Sequence, residues 1–324
     1  MANVWRALRR RVLTPNVSAT LLDTRGFHKK SPAAQQLLEK VGEMFLTGYA
    51  HAAEARTPAE AEDRLEALPT RFRGFAYEGA AMAFTMRDRL PLSGGGHLAG
   101  FLAGRGGAHN YMAYVGVGWA MARLPRFRWP AAAGTDPLLR WLVLDGYGFH
   151  QAYFRTQRYV HEQYRQEHFP WPGQDPSGYA TRAIDQGIGR AMWFVAGTDV
   201  PLVVSMIEKF AESRRADLYA GTGLAATYAG GADEAELRQL WELAGEHRAQ
   251  LAQGSAFAAE ARIRADLLVP HTGLATRVFC SMDPHDAAKL TQDVRPARPV
   301  DGQVPAYESW RQRITGEFVS LGRC

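Results

Sequence analysis

Five ionisable side chains stand beside glycines in this chain: Glu78 before Gly79, Asp145 before Gly146, His150 two positions after Gly148, Asp185 two before Gly187 and Arg190 directly after Gly189. Carboxylates, an imidazole and a guanidinium are the groups that move protons and steady developing charge, so these five form the candidate catalytic set. His150 is the member whose ordinary titration range reaches neutral pH. Rings recur in and around the same stretches, at Tyr77, His109, Tyr114, Tyr147, Trp193 and Tyr228. A cavity lined by those six, with a few ionisable groups, would suit a flat, apolar, conjugated ligand. Singly, each acid reads as an arginine partner and each ring as core; as a set they read as the lining of one lumen.

Other chemistry has no support in the residues. Gly-x4-Gly-Lys-Ser/Thr is absent, and the Gly146-Tyr147-Gly148 and Gly221-Thr222-Gly223 segments lack the third glycine of a dinucleotide fingerprint. No His-x3-His, His-Glu-x-x-His or Gly-x-Ser-x-Gly occurs, so no metal site is expected and no cofactor is indicated. His161 and His168, seven apart with Glu162 and Glu167, read as a solvated, charge-laced helix. The two cysteines, Cys280 and Cys324, cannot build a disulfide framework, and Cys280 sits in an apolar run as an inert thiol.

The elements that would position the set are helices. Six segments carry a glycine followed two residues later by another glycine or an alanine, with first glycines at 79, 116, 146, 187, 221 and 254. Recurrence every thirty to forty residues is the mark of stacked helix pairs. A glycine inside a helix costs about 1 kcal/mol relative to alanine, so its repetition needs a compensating gain, and close approach of two helix backbones supplies one. Alternating strand patterns are scarce. The expected fold is therefore all-α: irregular helical hairpins, either an open array like tetratricopeptide repeats or a closed α-bundle, with Gly-x-Gly at helix crossings. Residues 1–72 read as an N-terminal helical segment, with starts at Ser31-Pro32 and Thr57-Pro58. Residues 73–290 read as the core, with a flexible Gly-rich loop at 91–107 and a break near 169–176. Residues 291–324 read as an extended tail wrapping the surface.

Bulk properties exclude more than they assign. Thirty-eight basic against 33 acidic residues give a net charge of +5 without a dense basic face, which argues against nucleic acid. The longest uncharged run, 106–122, is too short and too polar to span a membrane, and a cytoplasmic protein is expected. Met1–Leu13 reads as an amphipathic helix with Val4, Trp5, Leu8 and Val12 on one stripe. Packing of Trp5 on the protein's own body is expected, and membrane contact is the alternative.

Four long segments carry a resemblance: Arg73–Met82, Leu144–His150 with Tyr153-Phe154, Asp185–Ala191 with Trp193-Phe194-Val195, and Arg215–Ala225. Together they resemble the proteins of unknown function encoded beside enediyne polyketide synthases in bacterial gene clusters, over residues 10 to 290. The resemblance implies a role in turning the synthase's linear polyene into the enediyne core, with a hydrophobic polyene or enediyne intermediate as ligand and other enediyne-cluster proteins as partners. It brings no catalytic residues with it. A scaffold that holds partner enzymes together is the alternative, and an oxidative metalloenzyme a third, for which the sequence offers no ligand set.

Overall fold

The computed structural model describes every residue except 1, 91–93, 132–134, 174, 176 and 323–324. Part of the 91–107 loop, part of the 169–176 break, and Cys324 thus lie outside the described residues. The helices are α1 (Ala2–Leu13), α2 (Leu22–Arg25), α3 (Pro32–Glu54), α4 (Pro58–Glu66), α5 (Thr70–Asp88), α6 (His97–Ala103), α7 (Asn110–Arg123) and α8 (Trp141–Phe154). They continue as α9 (Tyr179–Val195), α10 (Val200–Glu208), α11 (Glu212–Ala229), α12 (Glu234–Leu243), α13 (Arg248–Arg264), α14 (Pro270–Phe279), α15 (Pro284–Asp293) and α16 (Ala306–Ser320). No strand occurs among the described residues, so the fold is all-α.

Local chemistry sets the helix starts. Ser31 and Thr57 accept hydrogen bonds from the backbone N–H groups of Ala34 and Glu60, each with proline in the first turn. Asp233 and Glu236 form a reciprocal capping box at α12. Gly245, with φ of +54°, interrupts the long helical stretch after residue 234 between α12 and α13, a backbone angle glycine adopts without strain.

The glycines sit where helices cross. The seven long helices α3, α5, α7, α8, α9, α11 and α13 contact one another in that order, and each contact is made through glycine. A methyl group on Gly146 would fall on the Val115 carbonyl, one on Gly118 on the Val143 carbonyl, and so on through Gly148 with Ile184, Gly187 with Asp145, Gly189 with Leu218, and Gly221 with Gln186. In the four copies with two glycines the first meets the preceding long helix and the second meets the following one, and Gly79 and Gly254 likewise meet the preceding one. A glycine Cα–H aimed at a carbonyl is worth roughly 0.5–1 kcal/mol, comparable to the helix propensity it forfeits, and the closer backbones add dispersion.

The short helices α10, α12 and α14 contact one another in a second layer outside the long ones, as do α4 and α6. The succession then closes on itself. Phe75 of α5 packs edge-on against Tyr228 of α11 at 5.1 Å, and Arg262 of α13 donates to the Arg71 carbonyl at 3.2 Å. The result is a closed, compact bundle. Its connections are unlike one another, since α7 to α8 and α8 to α9 run through long loops where other pairs use a short helix.

Three sequence expectations change here. The Gly-rich 91–107 stretch contains α6 and a 3-10 turn, held by Asp88, which accepts from the backbone N–H of His97 and Leu98 at 3.0 Å. The break near 169–176 stands, with no helix among its described residues, and it is anchored by buried Phe169 and Trp171, the Trp171 indole donating to the Pro130 carbonyl at 2.8 Å. Residues 291–324 are not an extended tail: α16 buries Tyr307, Trp310, Ile314 and Phe318, apolar side chains spaced for one helix face. His161 and His168 share no helix, since only His161 falls in a helical turn.

Candidate functional site

The long helices leave a chamber between α3, α5, α7, α8, α9 and α11, capped by the segment Pro15 to Thr20 that follows α1. Its cavity volume is about 80 Å³. Inside there is room for a handful of waters. Leu38, Val41 and Phe45 of α3, Phe75 and Met82 of α5, and Trp119 of α7 supply one side. Phe149, Tyr153 and Phe154 of α8, Phe194 of α9, and Leu224 with Tyr228 of α11 supply the other. Trp119 is the hub, with Phe45 at 4.5 Å, Phe149 at 5.2 Å and Phe154 at 5.9 Å.

Against this apolar wall stand Glu78, His150 and Arg190, each less than a tenth exposed. The helix crossings hold them. The Glu78 carbonyl lies under Gly116, the Asp145 carbonyl under Gly187, and the Arg190 amide against Gly221. Backbone pressed to backbone cannot shift, so the side chains beside these glycines are aimed by rigid elements. Asp145 pairs with Arg190 through one carboxylate oxygen. The Arg190 guanidinium also lies 5.2 Å from the Phe149 ring. Burial works against the Arg190 charge, but the acidic groups around it, Asp145 foremost, more than restore it.

Glu78 has no such partner. Burial lifts its carboxyl to about 8, against the pull of Arg190 and with a push from Asp145, so it is a neutral acid at pH 7. The Trp119 indole N–H is turned toward it and favours the charged form, without the alignment of a full hydrogen bond. Burial, with help from Arg123 and Arg155, drops His150 to about 3, which leaves a neutral imidazole whose Nδ1 has no hydrogen-bond partner. The Tyr228 hydroxyl is likewise unpartnered, buried against Gly74. A neutral carboxyl beside neutral donors in an apolar site is suited to polarising an oxygen on a ligand or holding a proton for transfer.

The structure thus brings Glu78, His150, Arg190 and Tyr228 to one chamber, with Asp145 behind Arg190. It does not bring Asp185 there. Asp185 stands two positions before its glycine, where Glu78 and Asp145 stand one before theirs, and one residue rotates a side chain by about 100° around a helix. It pairs bidentately with Arg214 at 2.6 and 2.9 Å. Tyr147 lies in the same crevice, against Phe169 at 5.0 Å, with a cavity volume of about 10 Å³, no more than one water's room.

The other expected ligand-binding residues are packed or bonded elsewhere. Tyr77 stacks on His109 at 3.5 Å and donates to Glu66 at 2.5 Å. The Tyr114 hydroxyl accepts from the Asp136 amide at 2.7 Å, and the Trp193 indole donates to the Gly230 carbonyl at 2.9 Å. Sequence reasoning missed most of the true lining, Phe45, Phe75, Met82, Trp119, Phe149, Phe154 and Phe194. Those residues lie within two helical turns of a crossing glycine, a signal the sequence does carry. Among the described residues no three His, Cys, Asp or Glu side chains gather where they could hold a metal ion.

The N-terminal helix reverses its expectation. Arg6 and Arg9 turn inward to the last carbonyls of α3, Arg6 to Glu54 at 2.9 Å and Arg9 to Glu54 and Ala55 at 3.0 and 2.9 Å. Those carbonyls end a helix, lack intrahelical partners and carry its negative pole, so they draw arginines. The opposite stripe then faces out, and Trp5 is 68% exposed with Val4 and Val12 at 71%. Among the described residues no helix is long and apolar enough to cross a membrane.

No curated protein and no solved structure matches the chain. One family profile does, that of a protein of unknown function, DUF1702, over residues 4–318. That span includes α16, beyond the stretch in which the resemblance was read from motifs. With all but the two ends matched, the chain belongs to the DUF1702 family.

Proposed function

We propose that this protein takes up a slender, apolar, conjugated molecule in the chamber and assists its conversion, the molecule being the polyketide-derived polyene, or a later intermediate, on the way to an enediyne core in the cytoplasm. One observation supports the reading above others: an aromatic chamber between six long helices places a buried neutral carboxyl, a neutral imidazole and an ion pair against an otherwise apolar wall. An apolar wall shields a reactive polyene from water, and the polar groups supply proton transfer. The test is co-expression with the polyene synthase, followed by purification and mass analysis. A polyene retained by the wild type and released by a Phe149→Glu variant is expected. Protein that retains none, together with core formation that survives deletion of the gene, would end the proposal.

A second reading, a scaffold for partner biosynthetic enzymes, is favoured by the outward apolar stripe of α1. It expects Trp5→Ser with Leu8→Ser to abolish product formation while His150→Phe leaves it untouched. The first reading expects the reverse.

A further inference from the structure

The chamber wall contains hydrogen-bonding groups that the protein leaves unused. The Tyr228 hydroxyl and His150 Nδ1 are buried without a partner, and the carboxyl of Glu78, 3% exposed, accepts no aligned hydrogen bond among the described residues. Elsewhere some comparable groups are satisfied, as where Tyr153 donates to the Thr20 carbonyl at 3.3 Å and Tyr179 accepts from Gln186 at 3.0 Å, while the Tyr111 and Tyr307 hydroxyls and His109 Nδ1 are unpartnered too; what sets the chamber apart is that its three groups line one cavity. A buried polar group without a partner costs about 1–3 kcal/mol, and such groups in one place call for a common explanation.

We propose that the wall formed by Glu78, His150 and Tyr228 is a seat for an oxygen acceptor, so that the chamber's ligand is an unsaturated chain bearing a carbonyl or carboxyl group and not a plain hydrocarbon. This rests on the reading of the chamber as a site for a slender apolar molecule and narrows its substrate class. The chemistry of the three groups fits that role. A phenol donates, a neutral carboxyl donates, and a neutral imidazole presents one donor and one acceptor, so an oxygen with two lone pairs can satisfy at least two of them. Arg190 stands beside them with its charge already balanced by Asp145. The seat can therefore hold a neutral carbonyl without leaving a buried charge, and the donors would strengthen their hold on any negative charge that develops on that oxygen.

The experiment titrates purified full-length protein with three fluorescent tetraenes of one length: an octadecatetraenoic acid, its methyl ester and the corresponding octadecatetraene hydrocarbon. The proposal expects the acid or the ester to bind at least about tenfold more tightly than the hydrocarbon. It expects Tyr228→Phe and His150→Phe each to erode that preference about fivefold to tenfold, the worth of one hydrogen bond, while hydrocarbon affinity stays constant. Two substitutions on different helices guard against misfolding of either one. Equal affinity for all three tetraenes, or a preference that neither variant alters, overturns the proposal and leaves apolar binding intact. Failure of every tetraene to bind overturns the proposal and the proposed function together.

Discussion

Two buried polar centres occupy this bundle, and they are built on opposite rules. Around Arg311 of α16 nearly every group is bonded. Its Nη1 donates to Asp217 and Glu308 at 2.8 Å and to Tyr179 at 3.0 Å, and its Nε donates to Gln253 at 3.0 Å. Arg182 closes the network from the other side, on Asp217 at 2.8 Å and Glu308 at 2.9 Å. In the chamber, Arg190 has one carboxylate, the Tyr228 hydroxyl and His150 Nδ1 have no partner, and Glu78 has only the poorly aligned Trp119 indole. Both centres draw on helices pinned by glycine, although Arg311 and Glu308 come from α16, which no glycine pins, and both bury charge, so burial does not separate them. Saturation does. A saturated network locks a helix in place, whereas an unsaturated one is stable only if something else completes it.

The contrast can be attacked at both ends. Arg311→Met leaves Asp217 and Glu308 buried with one fewer cation, and should cost about 3–5 kcal/mol in urea unfolding, with α16 becoming protease-sensitive. A loss below about 1 kcal/mol would show that the network is no lock. Gly221→Ala pushes a methyl into the Gln186 carbonyl, and about 1–3 kcal/mol should be lost as α9 and α11 separate, with a shift in near-ultraviolet dichroism marking the altered packing.

Two titrations sharpen the chamber side. Glu78 has a folded value raised from 4.5 to about 8, so its contribution to stability is fully present below pH 4.5 and disappears as the pH rises through 8. Glu78→Gln should remove that decline, flattening the pH 5–8 profile by up to about 1.4 kcal/mol per pH unit. His150 runs the other way. Its folded value is depressed from 6.5 to about 3, so stability is held above pH 6.5 and lost as the pH falls toward 3. His150→Phe should relieve the acid-side loss, and melting curves of the two proteins that run parallel from pH 6 to 4 would contradict the buried neutral imidazole. Last, Tyr228→Phe should raise stability by about 1 kcal/mol, because it removes a buried hydroxyl that has no partner. A cost of about 1.5 kcal/mol, read by the same urea titration, would mean that the hydroxyl is bonded within the protein.

Much of the scaffold was legible before any coordinates. Gly79, Gly116, Gly146, Gly187, Gly221 and Gly254 announce helix crossings because a helical glycine is costly unless another backbone needs the room. Ser31-Pro32 and Thr57-Pro58 announce helix starts because a cap needs only its own first turn. The site was legible in part. Glu78, His150 and Arg190 reach the chamber, with Asp145 behind Arg190, because they stand close to crossing glycines, whereas Asp185 lies outside it by one position of helical phase. Tyr77, Tyr114 and Trp193 fail because a ring beside a crossing may face either side of its helix, and hydropathy does not say which.

The order of residues by itself determined an all-helical chain, where its long helices touch, and which ionisable groups would be held by rigid backbone, since all three depend on local propensity and on the absence of a Cβ. Only the tertiary structure decided which rings share a wall, that α16 is a lock and not a tail, and that α1 turns its arginines inward. Those outcomes depend on unsatisfied carbonyls and carboxylates brought from 44 to 94 positions away, as with Arg9 on the end of α3 and Arg311 on Asp217. No local pattern encodes a partner at that distance.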